Sequence, residues 1–138
     1  MSKKALLKAI FDKYTSNPIP GVTGFFNHAN SSTAYPFITY DFKSNLNITF
    51  KGTRYLDYNL VMFSIWSDES NYAKLVQIGA DLEKRFHFGN YFSTFPSDES
   101  PDGEVICSAK QFENTKYNQE TKIWEMKQTY RIVYVYRV

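Results

Sequence analysis

Between Asp57 and Trp66 the chain is apolar on both alternations of a strand. Tyr58, Leu60, Met62 and Trp66 fall on one side of an extended backbone, Val61, Phe63 and Ile65 on the other. Successive side chains of a strand point to opposite faces, so the pattern predicts a central strand covered on both sides. Such a strand needs neighbours along each edge, and the sequence supplies candidates. Tyr35–Phe42 reads as a strand in which Pro36 is tolerated only at the start, because proline has no amide to give to a ladder. Ile48–Phe50 forms a further short strand before a turn at Lys51-Gly52, and Val22–Asn27 an edge strand. Glu104–Phe112 and Ile123–Val138 are the last two strands, and the polar run Asn114–Lys122 between them reverses a hairpin. In the last strand Trp124, Met126, Tyr130, Ile132, Tyr134 and Tyr136 share one side, while Glu125, Lys127, Thr129 and Arg131 share the other until Val133 and Val135. A strand of about 15 residues extends about 50 Å at ~3.3 Å each, more than a domain of this size needs. Part of it is therefore expected to project, or to line a surface covered only on assembly.

Two segments carry the helical period instead. Over Lys3–Thr15, Leu6, Leu7, Ile10, Phe11 and Tyr14 recur at spacings of three and four, with Lys4, Lys8, Asp12 and Lys13 opposite. Asn17-Pro18-Ile19-Pro20-Gly21 stops that helix, since proline lacks the amide that continues it. The second helix follows Trp66, with Ser67 or Asp68 positioned to accept from the free amides of its first turn. Its apolar face is Tyr72, Leu75, Val76, Gly79, Leu82 and Phe86. Asp81 and Arg85 form an i,i+4 pair, Lys84, Arg85 and His87 sit at the negative end of the dipole, and Gly89 is the C-terminal stop. The order predicts an α+β fold: a single antiparallel sheet of about four to five strands, two helices packed on one face, and a long C-terminal β-hairpin, all in one domain over residues 1–138.

Composition narrows the function classes. Leu, Ile, Val and Phe number 7, 9, 7 and 12 among 138 residues, above the roughly 20% below which chains stay disordered. Sixteen basic against fourteen acidic side chains leave +2, which gives no basic stripe for nucleic acid and no field for an acidic substrate. The lone cysteine, Cys107, excludes an intrachain disulfide framework and a multi-cysteine zinc site, and His28 and His87 are too far apart in sequence for a local metal motif. Lys8, Asp12 and Lys13 break the apolar run near the N-terminus, against a signal peptide. No stretch reaches the roughly 18 apolar residues of a spanning helix. Folding in a reducing cytoplasm, with no membrane contact, is the expectation.

Nothing in the sequence assembles a catalytic set. Cys107 lies within a strand, with no neighbour in sequence to lower its pKa, and reads as an inert buried thiol. Asp98, Glu99, Asp102 and Glu104 cluster in the loop Asn90–Gly103, but at spacings that match no calcium loop. Neither Gly21-Val22-Thr23-Gly24 nor Gly52 belongs to a phosphate-binding pattern. No enzyme activity, cofactor or metal is expected. The informative excess is aromatic: 12 Phe, 11 Tyr and 2 Trp. Tyrosines interleaved with basic residues can stack single-stranded bases, but the small net charge argues against it. Tyr and Trp are also enriched where proteins meet, because they bury a large area and keep a polar tip. More aromatic strand surface than two helices can cover points to homo-oligomerisation. The alternative is a small α+β module holding an apolar ligand under an aromatic-lined sheet.

Four stretches together carry a resemblance. Ala34-Tyr35-Pro36-Phe37-Ile38-Thr39-Tyr40 follows the N-terminal helix, and Phe63-Ser64-Ile65-Trp66-Ser67 leads at once into a helix patterned by Ala73, Leu75, Ile78 and Leu82. Tyr130-Arg131-Ile132-Val133-Tyr134 then closes the late hairpin. Over roughly Ala5–Val138 this order resembles the tail-completion, or tail-terminator, proteins of long-tailed bacteriophages and prophages. The resemblance implies a structural virion subunit without cofactor or catalytic residues. Such subunits form a ring of six that caps the tail tube, joins it to the head–tail connector and lets DNA pass without sequence readout. It implies assembly in the host bacterial cytoplasm and residence in the virion tail. In such a ring the hairpin around Lys116–Trp124 is expected to reach a neighbour, with Lys116, Tyr117, Trp124 and Tyr130 at the contact and Tyr117 and Trp124 as anchors.

Overall fold

The two-sided apolar run lies at the middle of the sheet. In a computed structural model that describes residues 3–27, 33–50, 53–68, 72–87 and 103–136, helix α1 (Lys3–Thr15) leads into β1 (Phe25–Phe26) and β2 (Phe37–Phe50). Then come β3 (Thr53–Asp68), helix α2 (Tyr72–Phe86), β4 (Gly103–Asn118) and β5 (Ile123–Tyr136). One five-stranded sheet results, in the order β1-β2-β3-β5-β4. β2, β3, β5 and β4 alternate in direction, whereas β1 runs parallel to β2 at Phe25–Ile38 and Phe26–Thr39. The sheet is therefore mixed and not wholly antiparallel, and the exception is a two-residue edge.

Several boundaries move because the strands are longer than their apolar patterns. Tyr35–Phe42 and Ile48–Phe50 belong to one strand, β2, which absorbs the polar stretch between them through a bulge between Phe42 and Ser44. β4 continues through Asn118, so only residues 119–122 turn, with Lys122 at positive φ and its amide donating to the Asn118 carbonyl. Ser67 and Asp68 are strand residues opposite Trp124 and Ile123, and α2 begins only at Tyr72, while the buried Ser67 Oγ has no hydrogen-bond partner. The Lys51-Gly52 turn, Gly89 and residues 90–102 of the long loop lie outside the described residues.

Both helices pack on one face, through a core that is largely aromatic. Phe25 stacks on Tyr14 at 4.0 Å and on Tyr40 at 4.5 Å, and Phe63 meets Phe86 at 4.8 Å and the edge of Tyr130 at 5.3 Å. Leu6, Ala9 and Ile10 of α1 and Leu75, Ile78, Leu82 and Phe86 of α2 complete this cluster, while Tyr72 and Val76 are exposed. Arg85 ties the layers at their rim: its guanidinium donates to the carbonyls of Asp81, Asn17 and Pro18, so it links α2 to the turn after α1.

The expectation of cover on both sides of β3 is corrected. Val61, Phe63 and Ile65 lie under the helices, whereas Tyr58, Leu60, Met62 and Trp66 are half-buried on a face over which neither helix packs. A strand can be central in its sheet and still show one apolar face to the outside.

Contact between α2 and β5 is closest at Gly79. A Cβ there would sit 2.5 Å from Met126 Sδ and 3.2 Å from Gln128 Nε2. Gly79→Ala gains about 1 kcal/mol of helix propensity but overpacks the junction at about 1–3 kcal/mol. A net loss of up to about 2 kcal/mol is expected by urea unfolding. In a Met126→Ala background the sign should reverse and Gly79→Ala should stabilise; an equal loss in both backgrounds would refute this junction.

Candidate assembly surface

Residues chosen for a contact between subunits occupy three different environments. Trp124 and Tyr117 are directly opposed across β5 and β4, with ring centroids 4.7 Å apart, and Tyr72 of α2 packs on the other side of Trp124 at the same distance. Half-buried Tyr117 and Trp124, with exposed Tyr72 against Trp124, carry the aromatic packing to the turn end of the hairpin. Lys116 is exposed and points to the opposite, open face, across from Glu125. Tyr130 is fully buried in the core. No part of its ring is available to a neighbour, and it acts through the fold.

A buried polar network surrounds Tyr130 and fixes how α2 meets the hairpin. The Tyr130 hydroxyl donates to Gln128 Oε1 at 2.7 Å, and Gln128 Nε2 donates to the Gly79 carbonyl at 3.0 Å and to Glu113 at 2.9 Å. Lys110 Nζ closes the rim by pairing with Glu113 and with Glu83 of α2. Farther along β4, Ser108 donates to the Phe86 carbonyl, and the Lys110 amide donates to His87 Nδ1 at 2.9 Å. His87 is thus an acceptor at the outer edge of β4, in addition to its place at a helix end. Each buried donor has its acceptor, the condition under which such a network specifies one arrangement.

The open face is the larger feature. Along β2 it carries Phe37, Thr39, Leu46 and Ile48, along β3 Tyr58, Leu60, Met62 and Trp66, along β5 Arg131, Val133 and Val135, and along β4 Cys107 and Phe112. Trp66 donates through Nε1 to Thr39 at 3.1 Å and stacks with Phe37, and the Arg131 guanidinium lies 6.0 Å from the centre of the Tyr58 ring. Cys107 is half-buried here, opposite Val133, and not enclosed as the sequence implied. Towards the β4–β5 turn a shallow hollow of about 230 Å³ is lined by Trp66, Lys116, Asn118, Thr121, Ile123 and Glu125. Exposure of large apolar side chains on this face is concentrated at the two edges, in Leu46 at 63%, Ile48 at 38% and Phe112 at 60%. Sequence reasoning missed all three. Phe112 had a signal, as one large apolar residue within Lys110-Gln111-Phe112-Glu113-Asn114.

Among the described residues no three His, Cys, Asp or Glu side chains are grouped so as to hold a metal ion, and no helix is long and apolar enough to cross a membrane. Comparison with protein-family models and with curated protein sequences gives no match. Among solved structures, the fold matches a chain of the structure titled "Virion of native gene transfer agent (GTA) particle". That match has a TM-score of 0.74 and 9% identity, and it covers 96% of this chain and 96% of the other. At that identity the likeness establishes a shared fold, over essentially the full length of both chains.

The buried tyrosines give the fold an alkaline limit. Burial pushes the Tyr130 hydroxyl far above the ordinary tyrosine value, and the Glu83 and Glu113 carboxylates push the same way. Burial also raises Tyr14 and Tyr40. A folded-state value above the unfolded one gives stability that is full below about pH 10 and is lost as pH rises beyond it. The urea midpoint should therefore fall steadily above about pH 10, and less steeply in Tyr130→Phe. A flat profile there would contradict the burial of these hydroxyls.

Proposed function

We propose that this chain is a structural virion protein of phage or prophage origin, a ring-forming tail-terminator or tail-completion subunit that joins the tail tube to the head. The observation that carries the reading is the row of half-buried apolar side chains, Tyr58, Leu60, Met62 and Trp66, on the sheet face that neither helix covers, in a fold shared at full length with a chain of a virion particle. Contiguous apolar side chains on a surface mark sites covered by other proteins. The partners are then further copies of the chain in a closed ring, with the tail tube on one side and the head–tail connector on the other. DNA passes through without base readout, in keeping with a net charge of only +2. Assembly takes place in the host cytoplasm, and the finished subunit resides in the virion tail.

The ligand-module alternative finds less support. Tyr14, Phe25, Tyr40, Phe63, Phe86 and Tyr130 fill the space between helices and sheet by packing on one another, and the hollow at Trp66 is shallow and lies on the other face. Within the proposed ring, the hairpin contributes Lys116 and the exposed side of the Tyr117–Trp124 pair to a neighbour. Tyr130 holds that hairpin to α2 from within.

The role is tested in particles. When the gene is removed from its phage or prophage, electron microscopy should show full heads and unjoined tails of irregular length; joined, infectious particles would refute the role. At the hairpin, Trp124→Ala removes a ring that contacts both Tyr72 and Tyr117. The half-buried truncation should cost the monomer about 2 kcal/mol and also reduce the assembled fraction by light scattering. Tyr117→Ala should reduce assembly with a smaller effect on unfolding. Unchanged mass distributions for both variants would remove the hairpin from the contact.

A further inference from the structure

The sheet ends in two unlike edges, and their features match. Among the described residues no strand pairs with the outer side of β4, and β1 pairs with β2 only at Ile38 and Thr39. The side chains left most exposed on the open face, Leu46 and Ile48 on β2 and Phe112 on β4, border these two edges. Apolar side chains of this face on β3 and β5 are half-buried or, at Val133, buried, because each strand has a neighbour on either side. Long unpaired edges with apolar side chains are what natural proteins otherwise avoid. His87 blocks the β4 edge at Lys110, where it takes the backbone amide, so the accessible part runs from Phe112 to Asn118.

We infer that the outer edge of β4 from Phe112 to Lys116 pairs antiparallel with the Asp41–Leu46 stretch of β2 in a second copy of this chain, seating Phe112 beside Leu46. The inference rests on the ring-forming reading and specifies its contact. Direction supports it: β2, β3, β5 and β4 alternate, an even number of strands, so β4 of one copy lies antiparallel to β2 of the next with no reversal. The contact is heterologous, one edge meeting a different edge, and it leaves each copy with one edge of each kind for its two neighbours.

Register supports closure. Phe112 is opposite Thr129, whereas Leu46 is level with Val133 through Tyr58. Placing Leu46 beside Phe112 therefore shifts each copy by the four residues from Thr129 to Val133, about 13 Å at ~3.3 Å per residue. Spread over four strands at about 4.8 Å spacing, that is about one residue per strand and a strand tilt of about 35°. Closing a sheet on itself requires a tilt of about 35–45°. The stagger that seats Phe112 beside Leu46 is thus of the size found in closed sheets.

Cysteine cross-linking tests the contact. In a Cys107→Ser background, Leu46→Cys and Phe112→Cys are introduced singly and together, and the full chain is oxidised with oxidised glutathione at high protein concentration. Within one copy the two positions are three strand spacings and four residues apart, about 20 Å, which is beyond a disulfide's reach. The double variant should give a ladder of covalent oligomers, and each single variant dimers at most. A double variant that gives no ladder, under conditions where electron microscopy shows rings, overturns the edge pairing and leaves the ring-forming reading standing. The absence of both ladder and rings at about millimolar chain also overturns it, because the inferred contact needs no other component. The head–tail joining defect of particles lacking the chain then decides the proposed function separately. Circular dichroism of each variant confirms folding, which the exposure of both side chains favours.

Discussion

Phe63 is the contact on which the architecture depends. Its ring, fully buried, touches Phe25 of β1, Tyr40 of β2, Phe86 of α2 and Tyr130 of β5, and through Phe25 it reaches Tyr14 of α1. One aromatic chain thereby joins both helices to four strands. Stacked and edge-on rings bury large areas and add a directional preference beyond area alone. This lets two short helices hold a sheet whose strands run to 16 residues. The Gln128–Glu113–Lys110 network adds to the same side of the sheet and orients the hairpin against α2.

Filling one face so completely leaves nothing for the other. Both helices lie on the aromatic side, so the second alternation of β3, Tyr58, Leu60, Met62 and Trp66, remains half-exposed. Burial of apolar area is worth roughly 25 cal/mol per Å², and an open sheet face is a reserve of that free energy, available to any surface that covers it. The same asymmetry recurs at the edges, where the most exposed apolar side chains of the open face lie. A fold built in this way gains stability from any surface that covers that face.

Much of the fold was legible because the apolar periods were clean. Helix α1 has the bounds its stripe indicates, and the inward set on β5 from Trp124 to Tyr134 is as its alternation reads. Strand lengths were not legible, because polar stretches such as Lys43–Asn47 and Glu113–Asn118 are held by ladder hydrogen bonds that depend on a partner strand and not on their own composition. The start of α2 was misplaced because Ser67 and Asp68 resemble a cap in sequence but are held in the ladder opposite Trp124 and Ile123. At the candidate surface, Tyr130 could not be separated from Tyr117 and Trp124 by any local pattern. Its alternation matches theirs, and only the arrival of α2 over its part of the strand buries it. The edge residues Leu46, Ile48 and Phe112 gain their meaning from strand order, which no local pattern encodes.

The central claim is that the open face and edges of this sheet are covered by assembly. Backbone hydrogen exchange, compared between the free chain and the chain within purified particles, tests this most directly. The account predicts that amides of Asp41–Leu46 and Phe112–Lys116 exchange at least tenfold more slowly in the particle, while those of α1 change little. Equal exchange at both edges in the two states would contradict it.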